Sequence, residues 1–214
     1  MARKRRVWYP GAIYHVMSRG NRKKNIFEDV EDYVRFLDMV QDAQEMYGFT
    51  VHAICLMTNH FHIEIETSEV ALSRIMQRIK SLYAEDFNYR HHYSGHLFEG
   101  RYNACLILND RYFLEVSRYI HLNPVKAGMV REPAAYEYSS YGAYAPCDED
   151  RPFGKAGKMI EDLVDRSRVL HMLADSQVEA REQYRLFVEG RASHEEHETL
   201  IRKEIGENEF WMPW

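Results

Sequence analysis

Two hydrophobic periods alternate along the chain, and their order outlines a fold. "AIYHVMSR" (12–19) is rich in aromatic and aliphatic residues and ends at Gly20-Asn21, a turn signal, so it reads as a strand. From Asp29 to Met46, apolar Val30, Tyr33, Val34, Leu37, Val40 and Met46 recur at three- and four-residue spacing, which predicts an amphipathic helix ended by Gly48. "TVHAICLM" (50–57) and "HFHIEIE" (60–66) read as two strands joined tightly at Thr58-Asn59, a β-hairpin. A second helix is expected over 69–89, with Leu72, Ile75, Met76, Ile79 and Tyr83 on one side. "HHYSGHLFEGRY" (91–102) reads as a glycine-punctuated loop and "NACLIL" (103–108) as a short strand. A third helix is expected from Asp110, a candidate N-cap, to Asn123-Pro124, where proline disfavours continuation.

The order β-α-β-β-α-β-α predicts an α+β fold. Its first six elements make the ferredoxin-like split βαβ arrangement, an antiparallel sheet with helices on one face. Residues 1–142 hold this unit. Residues 143–157, with Pro146, Asp148 to Asp150, Pro152, Gly154 and Gly157, read as a linker. Residues 158–214 read as a helical C-terminal extension, with helices over 159–174, 176–189 and 193–205. The last two open on the capping boxes Ser176–Glu179 and Ser193–Glu196.

Composition narrows the class. The 214 residues, 45% hydrophobic and 13% aromatic, suffice for a packed core. No apolar run approaches the length of a membrane span, so no membrane partner is expected. The basic N-terminus lacks the apolar segment of a secretory signal. Cys55, Cys105 and Cys147 are odd in number and without CxxC spacing. They argue against a disulfide framework or structural zinc site and fit a reducing cytoplasm.

The net charge of −5 argues against a nucleic-acid partner until its distribution is read. Residues 1–27 hold eight basic side chains (Arg3, Lys4, Arg5, Arg6, Arg19, Arg22, Lys23, Lys24) and no acidic one. Residues 143–214 hold ten basic against 16 acidic. This asymmetry suggests a phosphate-binding surface at the N-terminal side. A solvated charged terminus accounts equally well for Arg3 to Arg6, but less well for "SRGNRKKN", which directly follows a strand.

Candidate chemistry centres on two segments. In a strand, His60-Phe61-His62 points both imidazoles to one side, roughly 7 Å apart. Glu64 and Glu66 continue that face, while Phe61, Ile63 and Ile65 occupy the other. Periodicity leaves two readings open: a polar face in water, or the start of a divalent-metal site. In "EVSRYIHLNPVKAG", Tyr119 and Asn123 stand at i and i+4, on one helical face. An Asn oxygen is a neutral hard ligand, and a tyrosine beside a metal is a usable nucleophile. Taken alone, Tyr119 reads more plainly as a core aromatic. His15, on the first strand, reads as a satisfied core histidine rather than a catalytic one.

"MTNHFHIEIE", "RYIHLNPVKAGMV", "YHVMSRGNRK" upstream and "HLFEGRYNACLI" between them resemble the single-tyrosine HUH transposases of the IS200/IS605 type. They look closest to the REP-associated tyrosine transposases. The resemblance spans roughly residues 8–142, including "YEYSSYGAY", and stops short of the C-terminal third. It implies that His60 and His62 are metal ligands, Asn123 a third ligand and Tyr119 the nucleophile. The implied cofactor is Mg²⁺ or Mn²⁺. The implied reaction is cleavage and rejoining of single-stranded DNA through a 5′-phosphotyrosine, next to an imperfect hairpin.

Arg3, Lys4, Arg5, Arg6, Arg19, Arg22, Lys23, Lys24 and Arg101 are the candidate DNA contacts. Trp8, Tyr9 and Phe98 are candidate stacking platforms, each with core packing as the plainer reading. The partner expected is hairpin-containing single-stranded DNA, with the protein a monomer or a homodimer. A domesticated hairpin-binding regulator without turnover is the rival. A replication or conjugation HUH enzyme and a small-molecule metallohydrolase fit less well. The acidic tail, with Phe210, Trp211 and Trp214, suggests a segment that competes with DNA.

Overall fold

The computed structural model describes residues 7–145 and 154–190. Four strands, β1 (Ile13–Arg19), β2 (Thr50–Leu56), β3 (His60–Glu66) and β4 (Asn103–Ile107), form one sheet in the order β2-β3-β1-β4. Every neighbouring pair is antiparallel. This is the split βαβ sheet that the element order predicts, and β3 lies inside it.

Strand parity sorts the side chains. Antiparallel partners share a face, and β1 aligns His15 with Glu64, Met17 with His62 and Arg19 with His60. The other face carries Phe61, Ile63 and Ile65 beside Ser18, Val16 and Tyr14. Helices α1 (Val30–Tyr47) and α2 (Leu72–Arg90) cover that apolar face; the Phe36 ring lies 4.9 Å from Phe61 and 5.0 Å from Tyr83. Asp29 starts α1 with a capping box closed by Asp32, and left-handed Gly48 ends it.

The two helices of the six-element unit, α1 and α2, lie on one face as expected. Helix α3 (Asp110–Lys126) packs on the opposite face, its Phe113 ring 5.0 Å from His52 and its Tyr119 ring 5.6 Å from His62. The His/Glu face is therefore not in water: His62 and Glu64 are both fully buried. Two bounds of α3 differ from expectation. Asn109 is its N-cap, its side chain accepting from the Tyr112 N–H at 2.8 Å, so Asp110 is the first helical residue. At the other end the helix runs through Pro124 to Lys126. It stops at left-handed Gly128, where Gly128 N–H donates to Val125 and Met129 N–H to Pro124, a Schellman closure.

The extension is docked on the sheet. Short α4 (Tyr141–Tyr144) follows residues that lie along β2, with Leu56 N–H bonded to Tyr138 O and Ser140 N–H to Ile54 O. Helices α5 (Lys155–Leu163), α6 (Ser167–His171) and α7 (Gln177–Glu189) complete the described chain. The single helix expected over 159–174 is broken at Val164–Arg166. There Val164 bridges Val51, and Asp165 N–H donates to Val51 O at 2.8 Å, covering the open edge of β2. Ser176 stands at the N-cap of α7 as expected, but its side chain makes no capping bond. The helix expected over 193–205 and the aromatic tail lie outside the described residues.

Candidate active site

The hairpin turn and the basic turn after β1 position His60. Asn59 donates through its amide nitrogen to Lys23 O at 3.2 Å, which directs its oxygen at the His60 ring, 2.6 Å from Nδ1. An oxygen only accepts, so His60 Nδ1 carries the proton and Nε2 keeps its lone pair. That Nε2 is buried and, among the described residues, has no hydrogen-bond partner. Burial, with the Arg19 charge beside it, pushes the His60 imidazole down to about 4.

His62 repeats the pattern one strand period on. Its Nδ1 lies 2.9 Å from His15 Nε2, and its own Nε2 is again buried with no hydrogen-bond partner among the described residues. Donation from His62 Nδ1–H to His15 leaves the lone pair of His62 on Nε2, the tautomer a metal ligand requires. Burial holds His62 well below the ordinary imidazole range, and the positive charge of Lys126 and repulsion from any proton on His60 or His15 push the same way. Burial likewise takes His15 down to about 3. All three rings are neutral near pH 7. The His60 and His62 rings stand 5.0 Å apart at 86°.

Helix α3 brings Tyr119 onto these rings. Its ring is 5.6 Å from His62 and 5.7 Å from His15, both edge-on, and Lys126 Nζ sits 4.5 Å over its face. Asn123, one turn on, donates through its amide nitrogen to Tyr119 O at 2.8 Å and is buried. The sequence signals for His60, His62 and Tyr119 thus meet in one place within one chain. His15 reads differently from its sequence expectation: it is buried, but its partner is His62 itself. Asn59 and Lys126 carried no earlier assignment; their only signals are adjacency to the hairpin and a seven-residue step from Tyr119.

Glu64, next on the same face, is fully buried, neither oxygen hydrogen-bonded among the described residues, and burial pushes its carboxyl well above the usual range. Burial thus favours its protonated, neutral form. Glu66 is instead paired with His52 at 2.9 Å.

The candidate DNA contacts divide. Arg22, Lys23 and Lys24 are exposed on a 3-10 turn (Asn21–Lys23) beside the hairpin, Arg22 and Lys23 with left-handed φ of 55° and 60°. Arg19 is opposite His60 and is held by Glu99 at 2.6 Å. Arg101 is exposed on the rim of a groove of about 820 Å³ between α2 and the loop before β4. Arg3, Lys4, Arg5 and Arg6 lie outside the described residues. Phe98 packs into the core near Phe61 and Tyr83, whereas Trp8 and Tyr9 are exposed.

A second cluster, Asp29, Asp32 and His91, has metal-like spacing. Its groups are committed elsewhere: Asp29 caps α1, and Arg90 bonds both Asp29 and Asp32, so a cation already occupies it. No helix among the described residues is long and apolar enough to cross a membrane.

Comparison with known proteins agrees with this geometry. Residues 9–123 match the family described as transposase IS200-like. Among solved structures, a REP-associated tyrosine transposase bound to a REP hairpin is similar at TM-score 0.58 and 18% identity, over 72% of this chain and 98% of that one. A putative transposase from Deinococcus radiodurans has TM-score 0.40 and 16% identity, over 56% of this chain and 95% of that one. No curated protein matches.

Proposed function

The chain belongs to the IS200-like transposase family, and from that premise we propose that it is a single-strand DNA endonuclease and strand transferase acting beside hairpins. Tyr119 is the nucleophile, and His60, His62 and Asn123 are the ligands of a divalent cation. One observation carries the reading: two buried histidine Nε2 atoms without partners, with the Tyr119 ring 5.6 Å from His62 of the same chain.

The residues fit a cation. Two imidazole lone pairs shielded from water and facing the same side are apt as ligands, and the Asn123 amide oxygen would add to a hard N/O set suited to Mg²⁺ or Mn²⁺. When bound, the cation supplies charge neutralisation on the scissile phosphate. Asn59 and His15 hold the two imidazoles in the ligating tautomer. Tyr119 Oη attacks the phosphorus; the P–O3′ bond breaks as the Tyr–O–P bond forms, and the phenolic proton ends on the released 3′-OH. A second 3′-OH reverses the step and joins strands. Because Tyr119 abuts the histidines of its own chain, a single chain holds the complete set.

The hairpin partner is proposed by analogy with the REP-hairpin complex; exposed Arg22, Lys23, Lys24 and Arg101 supply the phosphate contacts. The test is incubation with end-labelled single-stranded oligonucleotides bearing hairpins from the intergenic DNA of the source genome, with Mn²⁺ or Mg²⁺. The expected product is a protease-sensitive covalent adduct, absent in Tyr119→Phe. Hairpin binding without any adduct favours the regulator reading instead.

A further inference from the structure

The family match ends at residue 123, yet helix α7 of the extension reaches the helix that carries Tyr119. Tyr184 is fully buried, as are Ser117, His121 and Ser140. Its hydroxyl donates to Ser117 Oγ at 3.0 Å, and Ser117 donates on to Leu114 O at 2.8 Å. His121 Nδ1 lies 2.7 Å from the Tyr184 oxygen, and His121 Nε2 lies 2.7 Å from Ser140 Oγ. Ser140 Oγ accepts in turn from the Ile54 N–H of β2 at 3.0 Å.

Donors and acceptors then run one way. Ser140 Oγ lies 2.7 Å from His121 Nε2 and 3.2 Å from Ile54 O; with its one proton on the nearer His121, His121 Nδ1–H donates to Tyr184 and Tyr184 to Ser117. Ser117 and His121 stand two residues before and two after Tyr119. Between them Arg118, itself buried, donates to Gly190 O at 2.9 Å and lies 5.3 Å over the Phe187 ring. Three of the four residues nearest Tyr119 in sequence are thus held by α7. A buried network of this kind is satisfied in only one rotation of α3, because any turn about its axis strands several polar groups.

We propose that the C-terminal extension is a brace for the nucleophile helix, with Tyr184 as a positioning residue that fixes the rotation of α3 and so keeps Tyr119 against His62. This rests on the assignment of Tyr119 as nucleophile. Loss of the Tyr184 hydroxyl leaves His121 Nδ1–H without an acceptor in a dry site and loosens α3 locally. An error of about 1 Å in a reacting group costs up to about a hundredfold in rate.

The experiment uses the full chain carrying Tyr184→Phe. The comparison is Ile160→Ala, which opens the buried face of α5, a helix that packs mainly on α1. Amide hydrogen exchange is read without DNA, and single-turnover adduct formation is read at saturating hairpin oligonucleotide with Mn²⁺. The brace predicts faster exchange in 117–123 for Tyr184→Phe but not for Ile160→Ala, with β2 and β3 unchanged. It also predicts an adduct rate lowered about tenfold, with oligonucleotide Kd and Mn²⁺ binding within twofold of the parent. Exchange in 117–123 no faster than in Ile160→Ala, or an unchanged adduct rate, overturns it. If the parent chain forms no adduct, the nucleophile assignment fails, and the exchange arm alone decides whether α7 holds α3.

Discussion

The two faces of β3 are built from alternate residues of one seven-residue strand, and they serve opposite ends. Phe61, Ile63 and Ile65 point into the core under α1 and α2, where their contribution is burial among mainly apolar side chains. His60, His62 and Glu64 are buried too, on the face that α3 covers, yet among the described residues four of their nitrogen and oxygen atoms lack a hydrogen-bond partner. Burial of unsatisfied polar atoms costs stability. One face holds the fold together, and the other gives up part of that stability to keep polar side chains dry, the two imidazoles proposed as ligands among them.

The sharpest way to break this contrast is to make the imidazole face apolar. His60→Leu removes a buried unsatisfied nitrogen, so stability in urea should stay level or rise by about 1 kcal/mol. Mn²⁺ affinity, measured by calorimetry, should fall at least about a hundredfold, since a first ligand is lost. A large loss of stability with metal binding intact would reverse the roles of the faces. Phe61→Ala tests the other side: the core loses about 3–5 kcal/mol in urea denaturation, whereas the ligand atoms are untouched. His15→Phe keeps the ring and removes the acceptor for His62 Nδ1. Mn²⁺ binding should weaken about 10–100-fold with the fold retained, as for other groups that orient ligands.

Acid separates the faces more gently. His15 and His121 are held down to about 3, His60 to about 4 and His62 well below its ordinary value, all by burial, while the unfolded chain titrates them near 6.5. The unfolded state therefore binds more protons below pH 6.5, and stability that is full above 6.5 is lost as pH falls toward 4. The slope is about 1.4 kcal/mol per pH unit for each histidine involved. Glu64 has the opposite sign, since its raised carboxyl keeps a proton that the unfolded chain sheds above about 4.5. Urea midpoints at pH 7.5 and 5.0, in chelator, read the sum; equal midpoints would contradict the neutral buried histidines. The smallest effect belongs to the exposed turn: Lys23→Gln and Lys24→Gln should each reduce the salt slope of hairpin-oligonucleotide binding by about 0.7.

The apolar face was legible in the sequence because its rule is periodic. Alternation over 60–66 and the three–four spacing over 30–46 give β3 and α1 almost to the residue. The polar face was legible only in part. Periodicity alone could not tell water from a second layer, because what covers His62 is α3, some fifty residues away. His15 shows the cost: its strand parity was plain, but its pairing with His62 depends on β1 lying beside β3, which no local pattern states. The end of α3 was misjudged because a proline is tolerated in the last turn when a glycine closure follows. The contacts of Tyr184 with Ser117 and His121 join residues more than sixty positions apart and left no local mark at all.

The central claim is that one chain supplies both the nucleophile and the metal-ligating histidines. It is tested most directly by mixing Tyr119→Phe chains with His62→Ala chains and assaying covalent capture of labelled hairpin DNA, with the adduct mapped by peptide mass spectrometry. The account predicts an adduct on Tyr119 in the parent protein and none in either variant or in their mixture. Restoration of the adduct in the mixture, or its mapping to another residue, would contradict it.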